Sequence, residues 1–460
     1  MRHIRFLLLA SSLASLCGCS ETVGSSDNLH DGMFTDEEWK KVTALSGLPD
    51  KPPTDTTNKY AENEAAAAFG QKLFYSRAYA GPIITGDNGS NGGLGAAGDT
   101  GKIACSDCHS PPWFIDTRTK PAGVTLGADW IPRNTPALVN IAYLKGFHDW
   151  EGISDSLWVD GLGGAQNPAF VDTDRLTIAH GLYKDSKDEF NNIFDEKLDP
   201  DLDPTSANAA RFPAAGGPKA DPSAPDGAWE KMAPADQTII SRTFVNYGKA
   251  IAAFLTKITS NNAPFDKYVA GDTTAISESA KRGLKLFVGK ATCTECHKGP
   301  TLSDEKFHNT TRVSKYAPEV TPGSQQLWDA LNGFFEQGHE AGLGYALSNP
   351  LNRDSEFSDD TTTDLLKTNT NPMDATLLAA YRTSPLRNIA ETAPYMHDGG
   401  LATLEDVMKF YNDGGTQSGF QGTKDEKMKK LNLSDDEVKD VIEFLKTLTG
   451  DPVDASLTHG

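Results

Sequence analysis

Two five-residue stretches carry the residue types for metal or redox chemistry: CSDCH, Cys105 to His109, and CTECH, Cys293 to His297. In each, the cysteines stand three apart and a histidine follows at once. On one helical turn this spacing lets both sulfurs reach the two vinyl groups of a haem while the imidazole meets the iron from the same side. Zinc is the competing reading, since four cysteines in two pairs could form one tetrahedral site, but it leaves each histidine without a role. A thioredoxin-like dithiol expects a single motif in a strand-helix setting. Two copies on an exported chain point to two covalently bound c-type haems, with His109 and His297 as the proximal iron ligands.

The export signal is in the first residues. Arg2 and Arg5 precede an apolar run from Phe6 to Leu16, too short to cross a bilayer and shaped like a signal peptide. Leu16-Cys17-Gly18-Cys19 looks like a bacterial lipobox, with residues 1–18 removed and Cys19 left to carry lipid. The rival is a signal cut elsewhere and a free cysteine. Ser20 in place of aspartate points, by resemblance to enterobacterial sorting, to the outer membrane, so the expected location is the periplasmic side with a lipid anchor. The six cysteines then sort fully: Cys17 leaves with the signal, Cys19 takes lipid, and the other four sit in the two motifs.

Composition narrows the partners. With 43 basic against 63 acidic residues the net charge is -20, which makes nucleic acid an unfavourable partner because the phosphate-neutralising contribution would be repulsive. A basic protein partner stays compatible.

The elements that must position the two motifs read as helices. Thr35-Asp36-Glu37-Glu38 is a capping box ahead of a short amphipathic helix, a clasp before the first domain. FGQKLFYS (69–76) and RGLKLFVG (282–289) are near copies, each ahead of one C-x-x-C-H, which reads as an internal duplication. A strong helix is expected from Asp236 to Ile258, burying one face, and a last one from Ser434 that stops at Gly450. Residues 200–235 are rich in Pro, Ala, Asp and Gly, and residues 313–375 include the acidic DSEFSDDTTTD, so both are expected to be irregular excursions. Strand-like alternation is scarce, and the fold class is mainly α.

Beyond the haem motifs, the chain carries RNTPALVNIAY (133–143), DWEGISDSLW (149–158), FVNYGKAIAAF (244–254), APFDKYVAGD (263–272), FHNT (307–310), SPLRNIAETAPYMHDGGLATLEDV (384–407) and FYNDGG (410–415). Together these resemble the bacterial di-haem cytochrome c peroxidases and their MauG-type relatives, from about Leu48 to Thr449. The resemblance implies two cytochrome c-like helical domains with one haem each. The division expected is a lipid tether and clasp over 19–60, a first haem domain over 61–272, a second over 273–452 and a tail over 453–460. It further implies a calcium ion held by Asn134 and the backbone carbonyls of Thr392 and Pro394, and an inter-haem tryptophan at Trp150.

By the same resemblance, Tyr411 stands where the peroxidases place a methionine ligand to the second haem and MauG-type members a tyrosine. Met408 and Met396 are the rival ligands. A phenolate donates electron density and favours oxidised iron, whereas a thioether favours ferrous iron. The first haem lacks the family's distal histidine, because residues 110–146 contain none, so its iron is expected to be open to a small oxidant; His148 is the nearest candidate to close it. The family's distal glutamine aligns with Asp160 and its glutamate with Phe170. Asp160 could move the proton in peroxide cleavage, while a surface or capping role is the plainer reading. The function implied is a di-haem oxidoreductase of the MauG-like subgroup that uses hydrogen peroxide to oxidise a small redox protein or a side chain of a partner protein. The alternatives are a non-catalytic electron-transfer lipoprotein, favoured by Phe170, and a zinc-stabilised binding module.

Overall fold

The computed structural model describes residues 29–85, 94–118, 123–219, 226–316 and 320–460. The signal, Cys17 and Cys19 lie outside them. In chain order the helices are α1 (Asp36–Ala44), α2 (Glu64–Tyr75), α3 (Cys105–Cys108), α4 (Leu157–Gln166), α5 (Arg175–Ile193), α6 (Pro234–Leu255), α7 (Pro264–Val269), α8 (Glu278–Val288), α9 (Gln325–Phe335), α10 (His339–Ser348), α11 (Leu365–Thr368), α12 (Leu404–Asn412) and α13 (Asp435–Lys446). Sheet among the described residues amounts to two antiparallel pairs, β1 (Thr125–Leu126) with β2 (Trp130–Ile131) and β3 (Phe307–His308) with β4 (Tyr381–Arg382). None of the described helices is long and apolar enough to cross a membrane.

Two hydrophobic cores organise the chain. The first gathers Phe69, Leu73, Trp158, Leu162, Phe244 and Phe254 around α6. The second gathers Phe265, Leu284, Phe287, Val441 and Phe444 around α8 and α13. Helix α6 was expected to bury one face, yet Ser241, Thr243, Asn246 and Lys249 are buried as well, because α2 and α4 pack on different sides of it.

The duplicated G-x-K-L-F stretch has a physical explanation in these cores. Gly70 lies so close to α6 that a Cβ there would stand 1.9 Å from the Ala250 carbonyl oxygen. Its counterpart Gly283 would put a Cβ 1.8 Å from the Asp440 carbonyl oxygen on α13. Each glycine therefore lets two helix backbones touch, and the following leucine and phenylalanine pack beside the crossing. Gly70→Ala and Gly283→Ala are each expected to destabilise their own core by about 2–3 kcal/mol, the usual cost of overpacking against an unyielding backbone. Denaturant unfolding followed separately at the two haem bands would check this.

Several segments pack away from their sequence neighbours. The capping box Thr35/Glu38 forms, but α1 packs on α8 and the second core rather than the first. Phe34, Val42 and Leu45 are buried there, and Trp39 meets Tyr268 edge-on at 5.8 Å. The tail turns back to the first half: Val453 joins its core, Gln71 donates to the Ser456 and His459 carbonyls at 2.7 Å each, and Tyr75 donates to the Leu457 carbonyl at 2.8 Å. The last helix ends at Lys446, four residues before Gly450, whose N–H instead bonds the Asn388 side chain at 2.9 Å.

Among its described residues, the excursion at 200–235 carries short 3-10 turns, Pro200–Leu202 and Ala209–Arg211, ahead of α6. The one at 313–375, expected to be irregular, carries α9, α10 and α11. Its apolar residues find partners on the first half: Phe335 packs with Ile131 and Ala169, Trp328 with Val124 and Trp130, and Leu351 and Phe357 join the first core. Lys249, only 3% exposed on α6, fixes it through Asp359 at 2.6 Å and the Phe357 carbonyl at 2.8 Å. The second half thus reaches over the first.

Candidate functional site: two haem-binding motifs and the polar core between them

The first motif forms the single turn α3, capped at Ala104, with the His109 N–H on the Cys105 carbonyl at 2.8 Å. Its imidazole Nδ1 lies 3.3 Å from the Phe114 carbonyl. Burial pushes the ring's pKa down to about 4, so it is held as a neutral ligand. A hairpin covers Cys108: its thiol faces the Leu126 carbonyl, and Arg118 donates to that carbonyl at 2.8 Å. Arg118 Nη1 and, across the β1–β2 hairpin, Trp130 Nε1 are buried with no hydrogen-bond partner. Two orphaned donors beside a Cys-Cys-His turn are what a macrocycle bearing carboxylates would satisfy, and the first motif fits a c-type haem on that ground.

The second motif starts after Thr292, which adopts φ +50° and turns the chain into the Cys293–Glu295 turn. His297 Nδ1 sits 2.8 Å from the Leu302 carbonyl, which fixes the ring and presents Nε2 to a metal. Burial lowers its pKa too. A cavity of about 270 Å³ opens in front of it. Cys293, Cys296 and His297 line one part; Leu404, Val407, Met408 and Tyr411 of α12 line another. Tyr411 and its rivals Met408 and Met396 all border the same space. Burial pushes the Tyr411 phenol well up, so without a bound cation it stays neutral.

The four motif cysteines do not converge. Among the described residues the one group of metal-ligand atoms within mutual reach is Cys296, Asp304 and His308, which removes the shared zinc site. His308 lies between two carboxylates, with Nδ1 2.6 Å from Asp425 and Nε2 3.1 Å from Asp304. Burial would lower its pKa, but Asp304, Cys296 and Asp425 outweigh it and raise the value from 6.5 to about 10. Cys296 drops out of that balance once its sulfur is a thioether, and the two aspartates remain. A histidine whose pKa rises on folding stabilises the fold fully below its unfolded value, and that stabilisation is lost as pH climbs through the folded one. Thermal stability should therefore fall between pH 7 and pH 10, and His308→Gln should flatten that part of the curve in a melting series.

Between the motifs, Trp150 borders the second cavity and donates its indole N–H to the Asn134 carbonyl at 2.7 Å. The Asn134 amide faces the carbonyls of Pro394 at 2.7 Å and Met396 at 3.3 Å. Turning the amide over would point Oδ1 at the same place, giving the neutral oxygen donors a hard cation takes. Asn134 and Pro394 are thus together, and the second carbonyl at the amide is Met396; Thr392 lies along the same cavity wall.

The distal positions differ from the plain sequence reading. Asp160, expected at the surface or as a cap, is in the first turn of α4 and half-buried, and Ser156 is the cap; desolvation raises the Asp160 carboxyl above its ordinary value. Phe170, which the resemblance sets against the family's glutamate, is part of the apolar contact with Phe335 that seats α9. An acidic group there would be stranded under that helix. His148 is 3% exposed with Nδ1 unpartnered. Sequence reasoning overlooked Asp149 and Arg382, which come together only when the loop before Trp150 meets β4: Arg382 donates from Nε to the Asp149 carbonyl at 3.0 Å.

The sequence model of the di-haem cytochrome c peroxidase family matches residues 64–274. The chain is 29% identical over 397 residues to the cytochrome-c peroxidase IdrP2 of Pseudomonas sp., covering 85% of this chain and 83% of that protein. It is 27% identical over 359 residues to the methylamine utilization protein MauG of Methylorubrum extorquens, covering 78% and 76%. Cytochrome c551 peroxidase of Pseudomonas aeruginosa is 24% identical over 351 residues, covering 76% and 73%. The fold is shared with the diheme peroxidase BthA from Burkholderia thailandensis, at a TM-score of 0.53, 18% identity and coverage of 88% and 94%. A MauG-like protein associated with microbial copper homeostasis matches at a TM-score of 0.52, 21% identity and coverage of 90% and 97%. The class defined is a mainly helical, peroxidase-type oxidoreductase with two c-type haems. Over most of its length the chain is similar to di-haem cytochrome c peroxidases and MauG proteins. Relatives named as enzymes do not favour the non-catalytic carrier.

Proposed function

We propose that the protein uses hydrogen peroxide at an open site opposite His109 and passes the oxidising equivalents past Trp150 to a second site between His297 and Tyr411. From there it oxidises a small redox protein or a side chain of a partner protein. When bound, the haems supply the iron at which peroxide is cleaved and the store in which oxidising equivalents are shared. Cys105, Cys108, Cys293 and Cys296 would hold them as thioethers, and Arg118 and Trp130 would meet carboxylates of the first. Trp150 keeps a polarisable ring between the two cores, and its hydrogen bond to Asn134 fixes that ring's orientation. Asn134 with the carbonyls of Pro394 and Thr392 is the proposed calcium site; Met396 joins them on the observed contact. Asp160 is the proposed proton carrier. The absence of histidine from 110–146 keeps the first site open. We place the enzyme on the periplasmic side of the outer membrane, anchored through lipid on Cys19, on the strength of the signal sequence.

The observation that carries the reading is the position of Trp150, bordering the second cavity while bonded to the strand-and-turn segment that follows the first motif. The test is spectroscopic. Resting ferric protein at low temperature should give one high-spin and one low-spin signal, and one equivalent of peroxide should perturb both within seconds and then oxidise a reduced small cytochrome. Slow bleaching with no donor oxidation would leave the electron carrier as the correct reading.

A further inference from the structure

Two phenols share one guanidinium between the cavity in front of His297 and the excursion at 313–375. Tyr381 of β4 borders that cavity, as Trp150 does, and its ring stacks at 3.7 Å on His397, which is also in the cavity wall. Arg133 donates from Nη2 to the Tyr381 hydroxyl at 3.3 Å. The other arm of the guanidinium, Nη1, donates to the Tyr316 hydroxyl at 3.3 Å, so a single planar group bridges the two phenol oxygens. Tyr316 in turn meets Trp328 of α9 edge-on, with ring centroids 5.2 Å apart. Aromatic rings thus follow one another from the cavity into the segment that reaches over from the second half.

The two phenols differ in what can take their proton. Tyr381 donates to the Phe335 carbonyl at 3.3 Å, and an amide oxygen is a very weak base. Tyr316 has three oxygens within reach: Asn332 Oδ1 at 2.8 Å, Glu336 Oε1 at 3.2 Å and the Pro132 carbonyl at 3.4 Å. Of these three, the Glu336 carboxylate alone is basic enough to accept a proton, and Arg133 at 3.3 Å and the Ser314 hydroxyl at 2.6 Å hold it in place. The Glu336 side chain is 24% exposed, so a proton delivered to it can exchange with water. Burial pushes the Tyr316 phenol up to about 12, so it is protonated at rest and must shed that proton when it loses an electron.

We infer that Tyr316 is an oxidisable relay residue, with Glu336 as its proton acceptor, through which oxidising equivalents leave the second site for the excursion at 313–375. This rests on the proposed peroxide reaction, which supplies the oxidant. In the step, the Tyr316 O–H bond breaks. Its electron passes by way of Tyr381 to the oxidised second site, which is reduced by one electron, and its proton goes to Glu336. A neutral phenoxyl radical remains on Tyr316. One electron from the reduced redox partner, with the proton returned by Glu336, restores the phenol. The excursion is then a redox arm as well as a clasp over the first half.

Radical trapping tests the relay. The two-haem protein, with no donor present, is mixed with one equivalent of hydrogen peroxide, frozen at successive times and read by spin resonance, while the haem bands are followed in parallel. A phenoxyl signal should rise as the haem bands relax, change its hyperfine splitting when the protein carries ring-deuterated tyrosine, and be lost in Tyr316→Phe. Glu336→Gln keeps an acceptor but no base, and should form the signal about 100-fold more slowly, the low end of what a positioned base supplies. In wild type, a nitroso spin trap followed by peptide mass mapping should place the adduct on Tyr316, a result that needs no variant to retain its haems. Where the haem bands respond to peroxide, four results overturn the relay alone: no organic radical, an adduct on another residue, a signal that survives Tyr316→Phe, or one that forms at the wild-type rate in Glu336→Gln. Haem bands that do not respond overturn the peroxide reading itself and the relay with it.

Discussion

Tyr411→Phe is expected to convert the low-spin ferric centre of the two-haem protein into a high-spin one and to leave the other centre's signal unchanged. The expectation follows from the proposed ligation. Tyr411 lines the cavity in front of His297, and its phenol oxygen is the one atom the substitution removes. Burial pushes the free phenol's pKa well up, so binding must release its proton and place an anion against the iron's positive charge. That pairing favours the oxidised state. Tyr411→Met should keep the centre low-spin but raise its potential by several tenths of a volt, since axial ligands shift haem potentials over roughly 0.8 V. Met408 and Met396 border the same cavity. If either is the native ligand, Tyr411→Phe will leave the low-spin signal intact while Met408→Leu or Met396→Leu abolishes it, and the MauG-like assignment then fails. Redox titration of each variant, alongside low-temperature spin resonance, separates the cases.

The parts of this site that were legible in the sequence are those whose chemistry is local. Cys105, Cys108 and His109 act within one turn, so their spacing alone states what they can hold. The paired glycines were legible as a repeat but not as contacts, because Ala250 and Asp440 approach them from far along the chain. Helix α9 was hidden for a different reason. Leu327, Leu331, Phe334 and Phe335 keep helical spacing, yet they lie in an excursion whose composition is otherwise acidic and Thr-rich, and their partners Ile131 and Ala169 belong to the other half. The same contact explains Phe170: the position serves the packing of α9. Asp149 left no periodic signal at all. Its contact with Arg382 comes from a positive φ and from the return of β4 far along the chain, and neither is written in a pattern of residue types.

Glu151→Ala should destabilise the folded protein by about 3–5 kcal/mol, the cost of leaving a buried charge unpaired. Arg133 and Glu151 are 6% and 2% exposed at their side chains and meet at 2.6 Å. The guanidinium has further acceptors in Tyr316 and Glu336 at 3.3 Å each, and in Tyr381 at 3.3 Å, and it lies over the rings of Phe335 and Tyr381 at 5.1 and 5.4 Å. Arg133 cannot escape by losing its proton. Glu336, about a quarter exposed, can offset only part of the charge. Glu151→Gln keeps an acceptor in place and should cost much less, about 1–2 kcal/mol. Arg133→Met with Glu151→Met should cost less than the sum of the single changes, because neither charge is then stranded. The location makes the effect more than local. Arg133 opens the RNTP segment of the first half, Glu151 follows Trp150, Tyr316 and Phe335 come from the excursion at 313–375 that reaches over from the second, and Tyr381 from β4 just after it. Breaking the pair should therefore separate one denaturant transition into two, each followed at its own haem band. A single transition with an unchanged midpoint would mean that packing alone joins the halves and holds Trp150 between them.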